Sequence, residues 1–171
     1  MLNIYLIGMM GAGKTAAGKE LARLVKMTFL DLDEEIESET RLSINEIFQK
    51  KGEPFFRAEE RKALARASGQ TQTVVATGGG IVLDPRNIEM MRRTGKLIYL
   101  AASFETLWSR VRDKRDRPLL AAADPKATFY QLLQVRLPLY EASCTGRVDT
   151  EGSAPEAVAK KIVESYLQGE R

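Results

Sequence analysis

The chain has no histidine and one cysteine, Cys144, among its 171 residues. The first absence removes histidine general bases and histidine metal ligands, and with them Ser-His-Asp hydrolase chemistry. The second forbids an internal disulfide and a cysteine-rich zinc site. No apolar run approaches the roughly 20 residues that a membrane span requires, and Leu2 to Ile7 lacks the layout of a signal peptide, so the expected location is the cytoplasm. Glycine and proline, at 13 and 6 residues, occupy an ordinary share, and 44% of the residues are apolar, which excludes a collagen-like or extended disordered chain. What remains is one globular domain spanning 1–171, of a size that buries about 70% of its unfolded surface. Its formal net charge of +3 suits an anion handler without separating small anions from nucleic acid.

Leu2 to Ile7 is rich in strand formers and runs into a glycine-rich turn. A helical pattern follows, with Gly18, Leu21, Ala22 and Val25 on one face. Further strands are predicted at Thr28 to Asp31, Thr73 to Ala76, Lys96 to Leu100 and, more weakly, Gly146 to Asp149, with helices between them. Near-continuous apolar strands alternating with helices predict an α/β fold whose parallel sheet is covered on both faces. Ala159, Ile162, Val163 and Tyr166 share a face of the closing helix, which has Pro155 near its first turn. The one shift in composition, Arg112 to Arg117, reads as a loop.

Gly8-Met9-Met10-Gly11-Ala12-Gly13-Lys14-Thr15 matches GxxxxGK[ST] in full, between a predicted strand and a predicted helix. Such a loop points successive backbone N–H groups at phosphate oxygens, its lysine reaches the β- and γ-phosphates, and its Thr hydroxyl serves Mg²⁺. No Asn-Lys-x-Asp element for reading guanine occurs, which favours ATP.

Four further clusters bear on the phosphoryl acceptor. Asp31 and Asp33 end the second predicted strand on the side where ligands of parallel sheets bind, although Asp33 alternatively caps the next helix. Arg57 and Glu60 share a helix face, either as an oriented carboxylate-binding fork or as a solvated pair. Thr77-Gly78-Gly79-Gly80 follows the third strand, as a close approach to ligand or as a flexible turn. The stretch ending Arg117-Pro118-Leu119-Leu120 suits a mobile, arginine-bearing lid, or a solvated face. Further on, Pro138 predicts that a long helix ends near Leu137, leaving Arg136 close to its C-terminal end.

Together, GMMGAGKT at 8–15, FLDLD at 29–33, GEPFFR with Glu60 at 52–60, ATGGG at 76–80, RPLL at 117–120 and RLPLY at 136–140 resemble the shikimate kinases over nearly the whole chain. The resemblance implies a P-loop kinase of the nucleoside-monophosphate-kinase type. Its five parallel strands are in the order 2-3-1-4-5, its substrate region lies at about 33–60, and its lid lies at about 112–123. It implies transfer of the γ-phosphate of ATP to the 3-hydroxyl of shikimate, on the route to aromatic amino acids, by a monomer that engages neither nucleic acid nor membrane. Asp33, Arg57, Gly79, Gly80 and Arg136 would surround shikimate, with both arginines on its carboxylate and Glu60 holding Arg57. Lys14, Asp33 and Arg117 would be catalytic. Gly11, Ala12, Gly13, Lys14, Thr15, Ala16, Arg110, Arg117 and Pro155 would bind nucleotide, while Thr15 and, through water, Asp31 would hold Mg²⁺. Ala16-Ala17 departs from the family's frequent second Thr or Ser. Two other readings stay open: a kinase for another small hydroxy acid such as gluconate, and a nucleotide-binding regulatory or nucleic-acid module without transfer activity.

Overall fold

A computed structural model describes residues 2–113 and 123–167. Five strands, β1 (Asn3–Ile7), β2 (Thr28–Asp31), β3 (Thr73–Ala76), β4 (Gly95–Ala101) and β5 (Gly146–Asp149), form one parallel sheet in the order β2-β3-β1-β4-β5. The order agrees with what the resemblance implies, and the strand positions agree with the sequence to within a residue or two. β1 lies at the centre, paired with β3 through Ile4↔Val74 and with β4 through Leu6↔Ile98. Every residue of β1 and β3 is buried, as expected of strands covered on both faces.

The helices are α1 (Lys14–Val25), α2 (Leu32–Thr40), α3 (Ile44–Lys50), α4 (Glu53–Ser68), α5 (Pro85–Thr94), α6 (Phe104–Val111), α7 (Pro125–Ser143) and α8 (Pro155–Ile162). A wider turn over Val163–Leu167 follows α8, so the regular α-helix ends before Tyr166. Helix α1 packs between the sheet and α8, burying Ala17, Gly18, Leu21 and Ala22. Helices α2, α3 and α4, which follow the edge strand β2, pack on one another. A single core runs from Leu6 and Ile98 in the sheet to Ile36, Ile47 and Leu64 in these helices. Each such side chain contributes about 1.5–3 kcal/mol by leaving water.

The α7 helix corrects one expectation. It runs through Pro138, so Arg136 lies well inside it and is buried. Proline removes an N–H donor and crowds the carbonyl four residues earlier, a disruption of about 3 kcal/mol in an unsupported helix. Here Phe129, Leu133 and Arg136 before the proline and Tyr140 and Ser143 after it are all buried, which holds both halves against the same surface.

Candidate functional site

The site forms where the sheet's C-terminal edge meets the first turn of α1. Gly13 is the N-cap of α1 in the left-handed region, at φ 89°, a conformation that glycine adopts without penalty. The turn delivers the N-terminus of α1 to the cleft, with Lys14 and Thr15 as its first two residues. The Lys14 ammonium is folded back on its own loop, donating to the carbonyls of Gly8 at 2.8 Å and Met9 at 3.0 Å.

The hydroxyl of Thr15 donates to Asp31 Oδ2 at 2.6 Å. The other oxygen of Asp31 accepts from the Asp33 backbone N–H at 3.0 Å and caps α2. The capping residue is therefore Asp31, not Asp33, because the chain turns helical at Leu32, two residues earlier than a cap at Asp33 requires. That turn also replaces the two-residue strand period, yet both carboxylates still line a cleft of about 260 Å³ together with Lys14, Thr15, Gly79 and Arg110. The Thr15 hydroxyl at the start of α1 and the Asp31 carboxylate at the end of β2 are hard oxygen donors of the kind Mg²⁺ accepts while retaining several waters, so these residues fit that ion.

Arg57 lies on α4, with its Nη1 donating to Glu60 Oε2 at 2.8 Å. Glu60 is only 1% exposed at its side chain. Burial pushes its carboxyl up from the ordinary range, against the pull of Arg57, while nearby Asp33 adds to the rise and Arg136 opposes it. For Arg57 burial acts downward, but Glu60 and Glu53 outweigh it and leave the guanidinium above its usual value. The buried carboxylate thus feels Arg57, Asp33 and Arg136 together, which marks their convergence. The solvated-pair alternative for Arg57 and Glu60 fails on this burial.

The glycine triplet explains how the two arginines approach each other. A Cβ on Gly80 would lie within 2.6 Å of the Arg57 guanidinium carbon, and one on Gly79 would lie 3.5 Å from Arg136 Nη1. Consecutive backbone positions therefore underlie both guanidinium groups, and the loop is a packing surface as well as a turn. Arg136, 3% exposed, reaches the Met9 sulfur at 4.0 Å. One turn further along α7, the Tyr140 hydroxyl donates to the Gly79 carbonyl, and its ring stacks on Tyr99 at 5.2 Å between centroids. Burial pushes the Tyr140 hydroxyl above its ordinary pKa, so it remains a donor.

On the other side of the phosphate loop, Arg110 Nη1 donates to the Gly11 carbonyl at 3.0 Å and Nη2 to the Thr150 carbonyl at 3.3 Å. Arg110 and Pro155 line an adjoining cavity of about 240 Å³ with Ala12, Gly13, Thr150 and Ser153. Ala16 follows Thr15 on α1 and is exposed at the cleft. Arg117 and most of the expected lid lie outside the described residues.

Tyr140 and Glu53 are the site neighbours that sequence reasoning passed over. Tyr140 stands four residues after Arg136, a spacing that is informative only if the helix continues through Pro138. Glu53 stands four residues before Arg57, and the helical pattern in that region made the pairing readable.

The sequence model of a family described as shikimate kinase matches residues 10–167. A shikimate kinase of Thermodesulfovibrio yellowstonii is 42% identical over 168 residues, covering 97% of this chain and 95% of that protein. One from Bordetella pertussis is 44% identical over 167 residues, 98% of this chain and 79% of its own length. Among solved structures, shikimate kinase from Acinetobacter baumannii in complex with shikimate superimposes with a TM-score of 0.96 at 37% identity, covering 99% of this chain and 95% of that one.

Proposed function

Because the chain belongs to the shikimate kinase family, we propose that it transfers the γ-phosphoryl group of ATP to the 3-hydroxyl of shikimate, giving shikimate 3-phosphate and ADP. The observation that carries this reading is the pair of guanidinium groups, Arg57 and Arg136, set on consecutive glycines at the edge of the phosphate-loop cleft. Two planar forks beside one cleft suit a single carboxylate on a small substrate. The glycine loop and the RLPLY segment argue against a flexible sugar acid as acceptor, and the basic residues are interleaved with acidic ones along the sequence, unlike the grouped stripe of a nucleic-acid binder.

In this reading the backbone N–H groups of Gly11 to Thr15 cradle the phosphate tail, and Lys14 exchanges its contacts with Gly8 and Met9 for phosphate oxygens. Arg110, Pro155 and the cavity they line take the adenine end. Gly79 and Gly80 present backbone to the shikimate ring, while Arg57, held by Glu60, and Arg136 fix the ring by its carboxylate. Asp33 then faces the reacting hydroxyl and accepts its proton as the 3-oxygen bonds to the γ-phosphorus and the β–γ bridging oxygen departs with ADP. Catalysis here is mostly positioning and stabilisation of charge, so Lys14 and Arg117 act by matching the negative charge of the transferring group. Thr15 and, through water, Asp31 would hold Mg²⁺, which would supply charge neutralisation at the phosphate tail. Residues 33–60 form the substrate region and 112–123 the lid of a single domain. No helix among the described residues is long and apolar enough to cross a membrane. The enzyme is proposed to act as a cytoplasmic monomer.

A coupled assay of ADP release with ATP, Mg²⁺ and a panel of small hydroxy acids tests the activity. Shikimate should be turned over and gluconate should not. Arg57→Ala and Arg136→Ala should each weaken shikimate binding by about 2–5 kcal/mol, the range for truncating one member of a buried charge pair. The more deeply buried Arg136 belongs at the upper end. Binding titrations with unchanged affinity would place the carboxylate elsewhere.

A further inference from the structure

The contacts of Arg57 divide into two sets. Its Nη1 end is committed to the buried Glu60. Its Nε and Nη2 both donate to a single oxygen of Glu53, at 3.2 and 3.0 Å. Those two donors form the side edge of the guanidinium, one of the edges that grips a carboxylate in two-pronged fashion. Glu53 therefore occupies a position that an incoming carboxylate needs.

The two acidic partners are unlike. Glu60 is enclosed, and its loss would strand a half-buried guanidinium. Glu53 is the first residue of α4, 48% exposed at its side chain, and both donors converge on its Oε1 in place of a parallel fork. An exposed i,i+4 pair of this kind is weakly held. Orientation of Arg57 does not depend on it, because Glu60 fixes one end of the guanidinium, the Phe56 ring lies 5.1 Å from its carbon, and Gly80 backs its face.

We infer that Glu53 is a built-in competitor of the substrate, a carboxylate of the chain that occupies the binding edge of Arg57 and must be displaced by the carboxylate of shikimate. It tunes affinity without contacting the reacting atoms. The inference rests on the proposed role of Arg57 in gripping the substrate. It also accounts for an ionisable residue at the mouth of a site for an anion, where simple charge complementarity favours none.

The test is direct binding of shikimate, with KM and kcat measured separately, on Glu53→Gln. The expected result is affinity about two- to fivefold tighter, the scale of an exposed ion pair, with a lower KM for shikimate and unchanged KM for ATP. Glu59→Gln is the control for net charge, since Glu59 also lies on α4 but pairs with Lys62 at 2.8 Å, and it should leave shikimate affinity unchanged. The methyl ester of shikimate, which has no carboxylate to compete with, should bind Glu53→Gln and the parent alike. Weaker or unchanged shikimate binding in a folded Glu53→Gln protein overturns the inference, as does equal tightening in Glu59→Gln or for the ester. Arg57→Ala separates the two layers. If it binds shikimate as well as the parent does, the role of Arg57 falls. If it loses binding while Glu53→Gln has no effect, only the competition falls. In the Arg57→Ala background, Glu53→Gln should have no effect of its own.

Discussion

A methyl group on Gly80 would fall on the Arg57 guanidinium, at 2.6 Å or closer to its carbon and to Nη1. The guanidinium is tethered by Glu60 at one end and by the helix at the other, so it yields only by leaving the position in which it meets a carboxylate. Gly80→Ala is therefore expected to raise KM for shikimate by about tenfold or more, corresponding to about 1.4 kcal/mol of a contact worth about 2–5 kcal/mol. KM for ATP should change little, because the three atoms nearest the added methyl all belong to Arg57. Equal losses for both substrates in steady-state kinetics would mean that Gly80 supports the sheet edge generally and not Arg57 in particular. Tyr140 belongs to the same argument. Its hydroxyl holds the Gly79 carbonyl, so consecutive glycines are restrained by a tyrosine and an arginine.

Helix α3 shows how an element's ends carry its stability. Ser43 accepts from the Glu46 N–H at 3.2 Å, Glu46 accepts in return from the Ser43 N–H at 3.0 Å, and Lys50 adds a bond at 2.8 Å on the following turn. The bond to Lys50 and those to Ser43 hold the Glu46 carboxyl down at about 2, against an ordinary value of 4.5. A lowered folded-state value means that the stabilisation is complete above about pH 4.5 and is lost as pH falls towards 2. The Glu46 side chain is 43% exposed, so the effect is expected to be modest and sensitive to salt. Protection factors across α3, corrected for the intrinsic pH dependence of amide exchange, should fall through that pH window in the parent, whereas Glu46→Gln should show the lower protection already at pH 6. A carboxyl titration of Glu46 near 4.5 would remove the basis for this expectation.

Elements also mark how far the sequence could be read. The strands were legible because a buried parallel sheet writes unbroken apolar runs such as Thr73 to Ala76, and the phosphate loop because its chemistry tolerates few alternatives. The pairing of Arg57 with Glu60 followed from helical spacing. The burial that makes the pair matter did not, since it depends on α2, α3 and the glycine loop packing over it. Pro138 misled for a related reason. Local propensity predicts a break, but contacts of Tyr140 with Tyr99 and Gly79, distant in sequence, hold the helix together. The cap at Asp31 was hidden by the uncertainty of one or two residues in where a strand turns into a helix.

At the scale of the molecule, the cleft assembles from segments that are far apart in the chain: the loop after β1, the start of α2, the face of α4, the loop after β3 and the middle of α7. Unfolding scatters all of them, so either substrate binds the folded state alone and raises its stability by mass action. At a hundred times its dissociation constant a ligand adds about 2.7 kcal/mol. For a chain of this size that is an upward shift in Tm of about 5–11 °C. The two ligands draw on different segments, which makes the shift diagnostic. Arg57→Ala combined with Arg136→Ala should retain the shift produced by ATP and lose the one produced by shikimate at the same concentrations. If shikimate still stabilises that double variant, its carboxylate is held by other residues. If ATP no longer does, the arginines support the nucleotide half through the Met9 and Gly79 contacts, and the acid site and the phosphate loop form one cooperative unit.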